Sequence, residues 1–219
     1  MLRLIRDASI GSSPLAHARY LHDAGNGYVT LAYKPGWHQH SYPLEKLYEV
    51  LSACGDMDDV YISQNRFYGS RSNDRIAELS AMYTDLDYYK RPELAEMRAA
   101  CVRDLALESL IRERIPHPSL IMSTGRGLAM VWRHEPVPGY ARAKWGRCQE
   151  RIFEALKGLG ADPMAKSPSQ VLRLAGTYNS KSGALVESIF KNLDDVWDFG
   201  ELADEILLLT SDELEAQRA

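Results

Sequence analysis

Cysteine is scarce in this 219-residue chain: only Cys54, Cys101 and Cys148 occur. They are odd in number, far apart and form no Cys-x-x-Cys pair. That argues against a disulfide framework and a cysteine-rich zinc site, and predicts a reducing, cytoplasmic setting. Long apolar runs are missing as well. No stretch approaches the roughly 20 residues of a membrane span, so no membrane partner is expected. Residues 1–10 carry two arginines with no apolar segment behind them, and do not read as a signal peptide. A basic excess is also absent. With a net charge of −4 and a pI of about 5.9, a nucleic-acid partner would have to be met by a local patch. No internal repeat or low-complexity segment is visible. What is present is an ordinary globular composition, 45% hydrophobic and 26% charged. The length suits one sizeable domain, or one domain with a small appendage.

Periodicity and turn residues divide the chain. Helices are expected over 15–23, 44–54, 92–113, 140–159 and 194–208, the third with Pro92 in its first turn and the fourth capped by Gly160. Strands are expected over 28–34, 59–63, 81–89, 119–123, 128–133, 169–174 and 183–190. Residues 119–133 form a hairpin around Gly125-Arg126-Gly127. Helices and strands alternate but are interrupted by that hairpin, which predicts an α+β fold on a mixed sheet rather than a wholly parallel one.

The chain is organised around Ala81-Met82-Tyr83-Thr84-Asp85-Leu86-Asp87-Tyr88-Tyr89. On a strand, Asp85 and Asp87 share one face, their Cα atoms roughly 7 Å apart. Two carboxylates so placed can converge on a hard divalent cation, which would neutralise charges that are costly to bury in an apolar strand. A strand end with both acids in water fits the same local pattern.

Two further stretches carry candidate chemistry. Around the hairpin, Gly125 and Gly127 allow a sharp turn, Ser123 offers donors to phosphate oxygens, and Arg126 can fork onto them. A plain hairpin with a solvated arginine tip is the bland alternative, and the Gly-Lys-Ser/Thr ending of a Walker A loop is missing. Further on, Asp162 opens a loop after a helix. Arg173 lies between Leu172 and Leu174, on the opposite strand face from those leucines. Gly176-Thr177-Tyr178-Asn179-Ser180-Lys181 is rich in small donors and ends in a cation. A Gly-Asn turn with a surface lysine is the alternative there.

Taken together, Asp85-Leu86-Asp87, the Gly125-Arg126-Gly127 hairpin, Asp162 and Arg173-Leu-Ala-Gly-Thr-Tyr-Asn-Ser-Lys181 resemble the three motifs of the archaeo-eukaryotic primase superfamily. The likeness is to primase-polymerases of plasmids, phages and integrated elements, and spans about residues 61–181. Two positions depart from the family pattern. Ala129 stands where the family often has a nucleotide-binding histidine, and Ala175 stands where the third motif has proline.

The resemblance implies an RRM-like core over 76–190 packed beside an N-terminal α/β unit (1–75), followed by a helical tail (191–219). It implies a DNA primase or DNA-directed polymerase in which Asp85, Asp87 and Asp162 hold Mg²⁺ or Mn²⁺. Ser123, Gly125, Arg126, Gly127, Arg173 and Lys181 would bind the nucleotide. The partners implied are a single-stranded DNA template, NTPs or dNTPs, and a replicative helicase or a further C-terminal module such as many relatives carry. Template contacts are expected from Arg66, Arg71 and Arg75, interleaved with Phe67 and Tyr68. The basic stripe Arg142, Lys144, Arg147 and Arg151 is either template groove or plain surface.

Other function classes remain open from sequence. A replication-associated nucleic-acid-binding module with weak catalysis would suit Ala129. A rolling-circle initiator nuclease would use His38 and His40, although their flanks read as loop. A glycosyltransferase could use the Asp-x-Asp pair but leaves the third motif unexplained. His17, His22, His117 and His134 are expected at the surface or at helix ends.

Overall fold

The computed structural model describes residues 13–52, 57–192 and 196–208. In chain order its elements are α1 (Pro14–Leu21), β1 (Val29–Tyr33), β2 (His38–Tyr42), α2 (Leu44–Leu51), β3 (Val60–Ser63), β4 (Arg66–Phe67), β5 (Ile76–Leu86), α3 (Ala99–Arg112), β6 (Leu120–Ser123), β7 (Leu128–Pro138), α4 (Arg142–Leu156), β8 (Val171–Arg173), β9 (Tyr178–Asn179), β10 (Ala184–Leu185), β11 (Glu187–Lys191) and α5 (Phe199–Leu207). The fold is α+β. One sheet runs β11-β6-β7-β5-β4, a second runs β2-β1-β3-β8, and β10-β9 form a two-stranded ribbon. Every pair of named strands is antiparallel. Among the described residues the parallel component is limited to the isolated bridges Asp58–Tyr178 and His134–Trp197.

The expected boundary near residue 75 does not divide the hydrogen bonding. β8, from late in the chain, adds to β3 by pairing Arg173 with Tyr61, and β4 crosses into the other sheet to pair with β5. The two sheets are thereby stitched together, and Arg173 reaches the site from the N-terminal sheet.

β5 is the spine of the larger sheet. Its inner edge pairs with β7 from Glu78 to Leu86. Its outer edge is closed piecemeal after β4 ends. Ser80 N–H donates to Asn65 Oδ1 at 2.9 Å, and Trp145 Nε1–H donates to the Ala81 carbonyl at 2.9 Å. Gln149 then takes both groups of Tyr83, accepting from its N–H and donating to its carbonyl, each at 3.0 Å. A buried strand edge must satisfy each backbone group in some way. Here α4 does so with side chains, because its face of Trp145, Cys148, Gln149, Ile152 and Leu156 is buried at the three-to-four spacing of a helix stripe.

Several sequence-based expectations change. The helix predicted from residue 92 begins at Ala99. Residues 91–97 close turns in which Leu94 and Ala95 N–H donate to the Arg91 carbonyl, and Arg98 enters the helix from an extended conformation. The last helix begins at Phe199, after Asp198 caps it through the Glu201 amide; the expected start at 194 and the tail beyond 208 lie outside the described residues, as do residues 1–12 and Cys54. His17 and His134 are neither surface nor helix-end residues but buried; His22 is buried too, and stands at a helix end as the C-cap of α1. His17 accepts from the Ala175 amide at 3.1 Å, and His22 Nε2 pairs with the Ser63 carbonyl at 2.8 Å. Burial draws the histidine pKa values down, to about 4 for His17 and His134 and about 3 for His22. The Ala175–His17 bond also gives the departure at Ala175 a structural role, since a proline there has no N–H to donate. No described helix is long and apolar enough to cross a membrane.

Candidate active site

β5 ends at Leu86, so Asp85 lies on the strand and Asp87 just beyond it, opening a short 3₁₀ turn at Tyr88–Lys90. The strict alternation expected over 81–89 therefore stops one residue before the second acid. Both carboxylates nevertheless line one cleft. After α4, Gly160 adopts φ +89°, a left-handed conformation that glycine takes without strain. It turns the chain back along β5. The Asp87 N–H donates to the Gly160 carbonyl at 2.8 Å, and the Asp162 N–H to the Asp85 carbonyl at 2.8 Å, flanking an antiparallel bridge between Leu86 and Ala161. Asp162 thus stands directly opposite Asp85, and cross-strand partners share a face.

On the other side of Asp85, in the same register row, is Ala129 of β7. Ala129 also lines the cleft. A small methyl group therefore faces Asp85 where the family pattern often places histidine.

Burial, followed by the neighbouring Asp87 and Asp162, pushes the Asp85 carboxyl up to about 7, against the opposing pull of Arg173 and Lys90. Asp87 pairs with Lys90 Nζ at 2.5 Å, and Asp162 Oδ1 accepts from the Met164 amide at 2.9 Å as the cap of the Pro163–Lys166 turn. Asp87 and Asp162 together border a second hollow beside the cleft. Asp85 and Asp87 line the cleft, Asp162 borders only the adjoining hollow, and among the described residues no three His, Cys, Asp or Glu side chains form a group that could hold a metal ion.

The cleft wall is cationic. Arg126 stacks on Tyr89, with 4.2 Å from guanidinium carbon to ring centroid. Arg173 pairs with Asp59 at 2.5 Å and lies 4.8 Å from the Tyr61 ring. Lys181 and Lys34 complete it. Gly127 must be glycine because a Cβ there would sit 2.6 Å from the Leu86 carbonyl oxygen. Ser123 and Gly125 are outside the lining, where Thr124 and Asn179 stand instead. Gly125, at φ +84°, abuts Ser182, and Asn179 Nδ2 donates to the Thr124 carbonyl at 2.6 Å. Both contacts tie the hairpin to the Lys181 loop.

The sequence reading missed Asp59. It is buried, has φ +51°, accepts from Arg173 Nη1, and accepts from both the hydroxyl and the amide of Ser180. Burial opposes its ionisation, but the Ser180 and Arg173 hydrogen bonds hold the carboxyl below the usual carboxylate range. Its left-handed backbone, uncommon for a residue other than glycine, is the only local signal, and that is invisible in the sequence.

The expected template patch is corrected. Arg66 is fully buried and lies 3.1 Å from Glu78, and Phe67 is buried in the core. Neither can touch a DNA backbone, because both side chains are fully buried where β4 pairs with β5. Arg71 is half-buried and engaged with Gln39 and the Ser169 carbonyl; Arg75 is exposed. Along α4, Arg142 donates to the Asn73 carbonyl, Lys144 pairs with Asp204 at 2.6 Å and Arg151 with Glu113 at 3.3 Å, so much of that stripe is internally paired. His38 and His40 lie exposed on β2 rather than in a loop.

No protein-family model matches this chain. A replication protein of Clostridium perfringens is 31% identical over 192 residues, covering 85% of this chain and 45% of that protein, so the chain spans about half the length of the curated relative it matches. Among solved structures, the AEP domain of the cyanophage S-2L primase-polymerase matches 89% of this chain and 96% of its own, with 20% identity and a TM-score of 0.61. The catalytic domain of primase RepB′, solved in complex with initiator DNA, matches 94% and 96%, with 14% identity and a TM-score of 0.53. The strand that bears Asp85, the hairpin beside it and the returning Asp162 segment thus belong to a chain with the archaeo-eukaryotic primase-polymerase catalytic-domain fold.

Proposed function

We propose that this domain is a metal-dependent nucleotidyltransferase that synthesises primers or extends DNA on a single-stranded template during replication. The observation that carries the reading is the register pairing of Asp162 with Asp85, with Asp87 next along the chain. It brings hard oxygen donors from two distant stretches of the chain onto neighbouring segments beside a cationic cleft. The relationship to a replication protein and the fold shared with primase domains support the same reading.

The donor set fits a divalent cation: carboxylates are the ligands that Mg²⁺ and Mn²⁺ prefer, and Asp85, whose pKa is raised by burial first and by Asp87 and Asp162 after it, is a carboxylate that a cation would help to ionise. Asp85, Asp87 and Asp162 would hold the ion, which when bound would activate the attacking hydroxyl and stabilise the leaving pyrophosphate. The chain itself binds and orients. Arg126 and Lys181, on the hairpin and the loop that are tied together, take phosphate oxygens. Arg173, held by Asp59 and resting on Tyr61, lines the cleft with donors left for phosphate. In the reaction a 3′-hydroxyl oxygen gives its proton to solvent and bonds to the α-phosphorus, while the bond from that phosphorus to the oxygen bridging to the β-phosphorus breaks and pyrophosphate leaves. Lys90 now neutralises Asp87 and must yield to the incoming cation.

The test is incorporation of labelled NTPs or dNTPs on single-stranded DNA with Mg²⁺ or Mn²⁺. Asp85→Ala and Asp162→Ala should abolish it while the circular dichroism spectrum is retained. A folded double variant extending a primer at the wild-type rate would refute the proposal. A second reading, a nucleic-acid-binding module with little catalysis, is favoured by Ala129 facing Asp85. Wild-type protein that binds single-stranded DNA but incorporates no nucleotide under either metal would select it.

A further inference from the structure

The cleft holds one more cation than the sequence motifs supply. Lys34 follows β1, far in sequence from the acids, and lines the same cleft as Asp85 and Asp87. Its position is built from three contacts. Its amide donates to the Asp59 carbonyl at 3.3 Å, beside the Asp59–Arg173 pair. Its ammonium lies 5.2 Å from the Tyr61 ring centroid and 5.5 Å from that of Trp37. Trp37 is turned into this arrangement by a backbone φ of +52°, a left-handed conformation that a bulky residue rarely adopts, and its ring lies 5.2 Å from Tyr61.

Tyr61 therefore carries two cations, Lys34 and Arg173. Arg173 is neutralised by Asp59; Lys34 has no carboxylate partner among the described residues. Aromatic faces hold an ammonium in place without cancelling its charge. Two like charges crowded on one ring beside an open cleft are stabilised by an anion that enters it.

We propose that Lys34 is a phosphate-binding residue of this cleft, contributed by the N-terminal sheet. The proposal rests on the nucleotidyltransferase reading. The phosphate belongs either to the nucleotide's triphosphate or to the backbone of a DNA strand. The carboxylates on the cleft floor point to the triphosphate, because that is where an ion bridging acid and polyphosphate would sit.

The experiment compares wild type, Lys34→Met and Lys34→Arg. One arm measures binding of a fluorescent non-hydrolysable nucleoside triphosphate with Mn²⁺. The other measures binding of labelled oligo(dT) across a salt series. Lys34 is exposed, so thermal melting should be unchanged in both variants. The expected result is a loss of about tenfold in triphosphate affinity for Lys34→Met, the scale of one charge-assisted hydrogen bond. Lys34→Arg should recover most of it, with oligo(dT) binding unaltered. If oligo(dT) affinity falls instead and its salt slope drops by about one, the phosphate is that of the DNA strand. If Lys34→Met matches a binding-competent wild type in both arms, the Lys34 assignment is overturned while the nucleotidyltransferase reading stands. If wild type itself binds neither probe, both are overturned.

Discussion

The Asp162 amide donates to the Asp85 carbonyl at 2.8 Å, and this one bond sets two acids from distant parts of the chain face to face. The pairing depends on the outer edge of β5 being closed in the right order: Trp145 on Ala81, Gln149 on Tyr83, then the 160–162 segment on Asp85 and Asp87. Gln149 Nε2 also reaches the Ala165 carbonyl at 2.9 Å, and the Tyr83 hydroxyl donates to the Ser167 carbonyl at 2.7 Å. The loop bearing Asp162 is thereby pinned from both sides.

Gln149→Leu tests that pinning. It leaves the Tyr83 amide and two carbonyls without partners in a buried setting, at about 1–3 kcal/mol for each unmet group before relaxation. Urea unfolding should show a loss of about 3 kcal/mol. A loss under about 1 kcal/mol would mean that the edge is closed by other means.

Asp59→Asn tests the support behind Arg173. The substitution keeps the shape and removes the charge that pairs with Arg173 and draws in Ser180. The nucleotide KM should rise about tenfold with kcat little changed, because Asp59 acts through Arg173 and does not itself line the cleft. A selective fall in kcat would contradict this division of roles.

Arg66→Leu separates structure from template binding. Glu78 would lose its buried partner and keep only the exposed contact from Asn26. Stability should fall by about 3 kcal/mol, as when one half of a buried pair is removed. Affinity for single-stranded DNA, measured by fluorescence anisotropy on folded protein, should not change. A drop in affinity at full stability would restore Arg66 to the DNA interface.

Acid should destabilise the metal-free protein. His17, His22 and His134 have folded pKa values depressed by burial to about 4, 3 and 4. Their contribution is therefore complete above the unfolded value near 6.5 and is lost as pH falls towards about 4. Asp85 runs the opposite way: its pKa, raised to about 7 chiefly by burial, favours the folded state as pH falls. Near pH 5, three histidines against one aspartate leave the unfolded chain binding about two more protons, a slope of about 2–3 kcal/mol per pH unit that flattens towards pH 7, where the two effects nearly cancel. Urea titrations at pH 7, 6 and 5 measure it. A flat profile would mean that the three rings are not buried neutral.

The placing of the candidate site was easier to read from sequence than its scaffolding. Asp85, Asp87, Arg126, Gly127, Arg173 and Lys181 sit in short patterns and line one cleft, with Asp162 at the adjoining hollow. Asp59, Lys34 and Gln149 do not. Asp59 and Lys34 matter only because β8 adds to β3, a long-range pairing that no local period encodes. Gln149 looks like a polar residue on any amphipathic helix, although its spacing with Trp145, Ile152 and Leu156 placed it on the apolar stripe. His17 could have been placed inside by the same logic, since Pro14, Ala18 and Leu21 of α1 are buried with it. The early start given to α3 came from Pro92, whose fixed φ suits a turn as well as a first helical position.

Binding of Mn²⁺, followed by the electron paramagnetic resonance signal of the free ion, tests most directly whether the three acids act as one site. Wild type should take up Mn²⁺ at neutral pH, and Asp162→Asn, which keeps the backbone bond to Asp85, should bind it about tenfold more weakly or worse. Equal uptake by a folded Asp162→Asn protein would show that Asp162 holds no ion and would remove the basis for the nucleotidyltransferase reading.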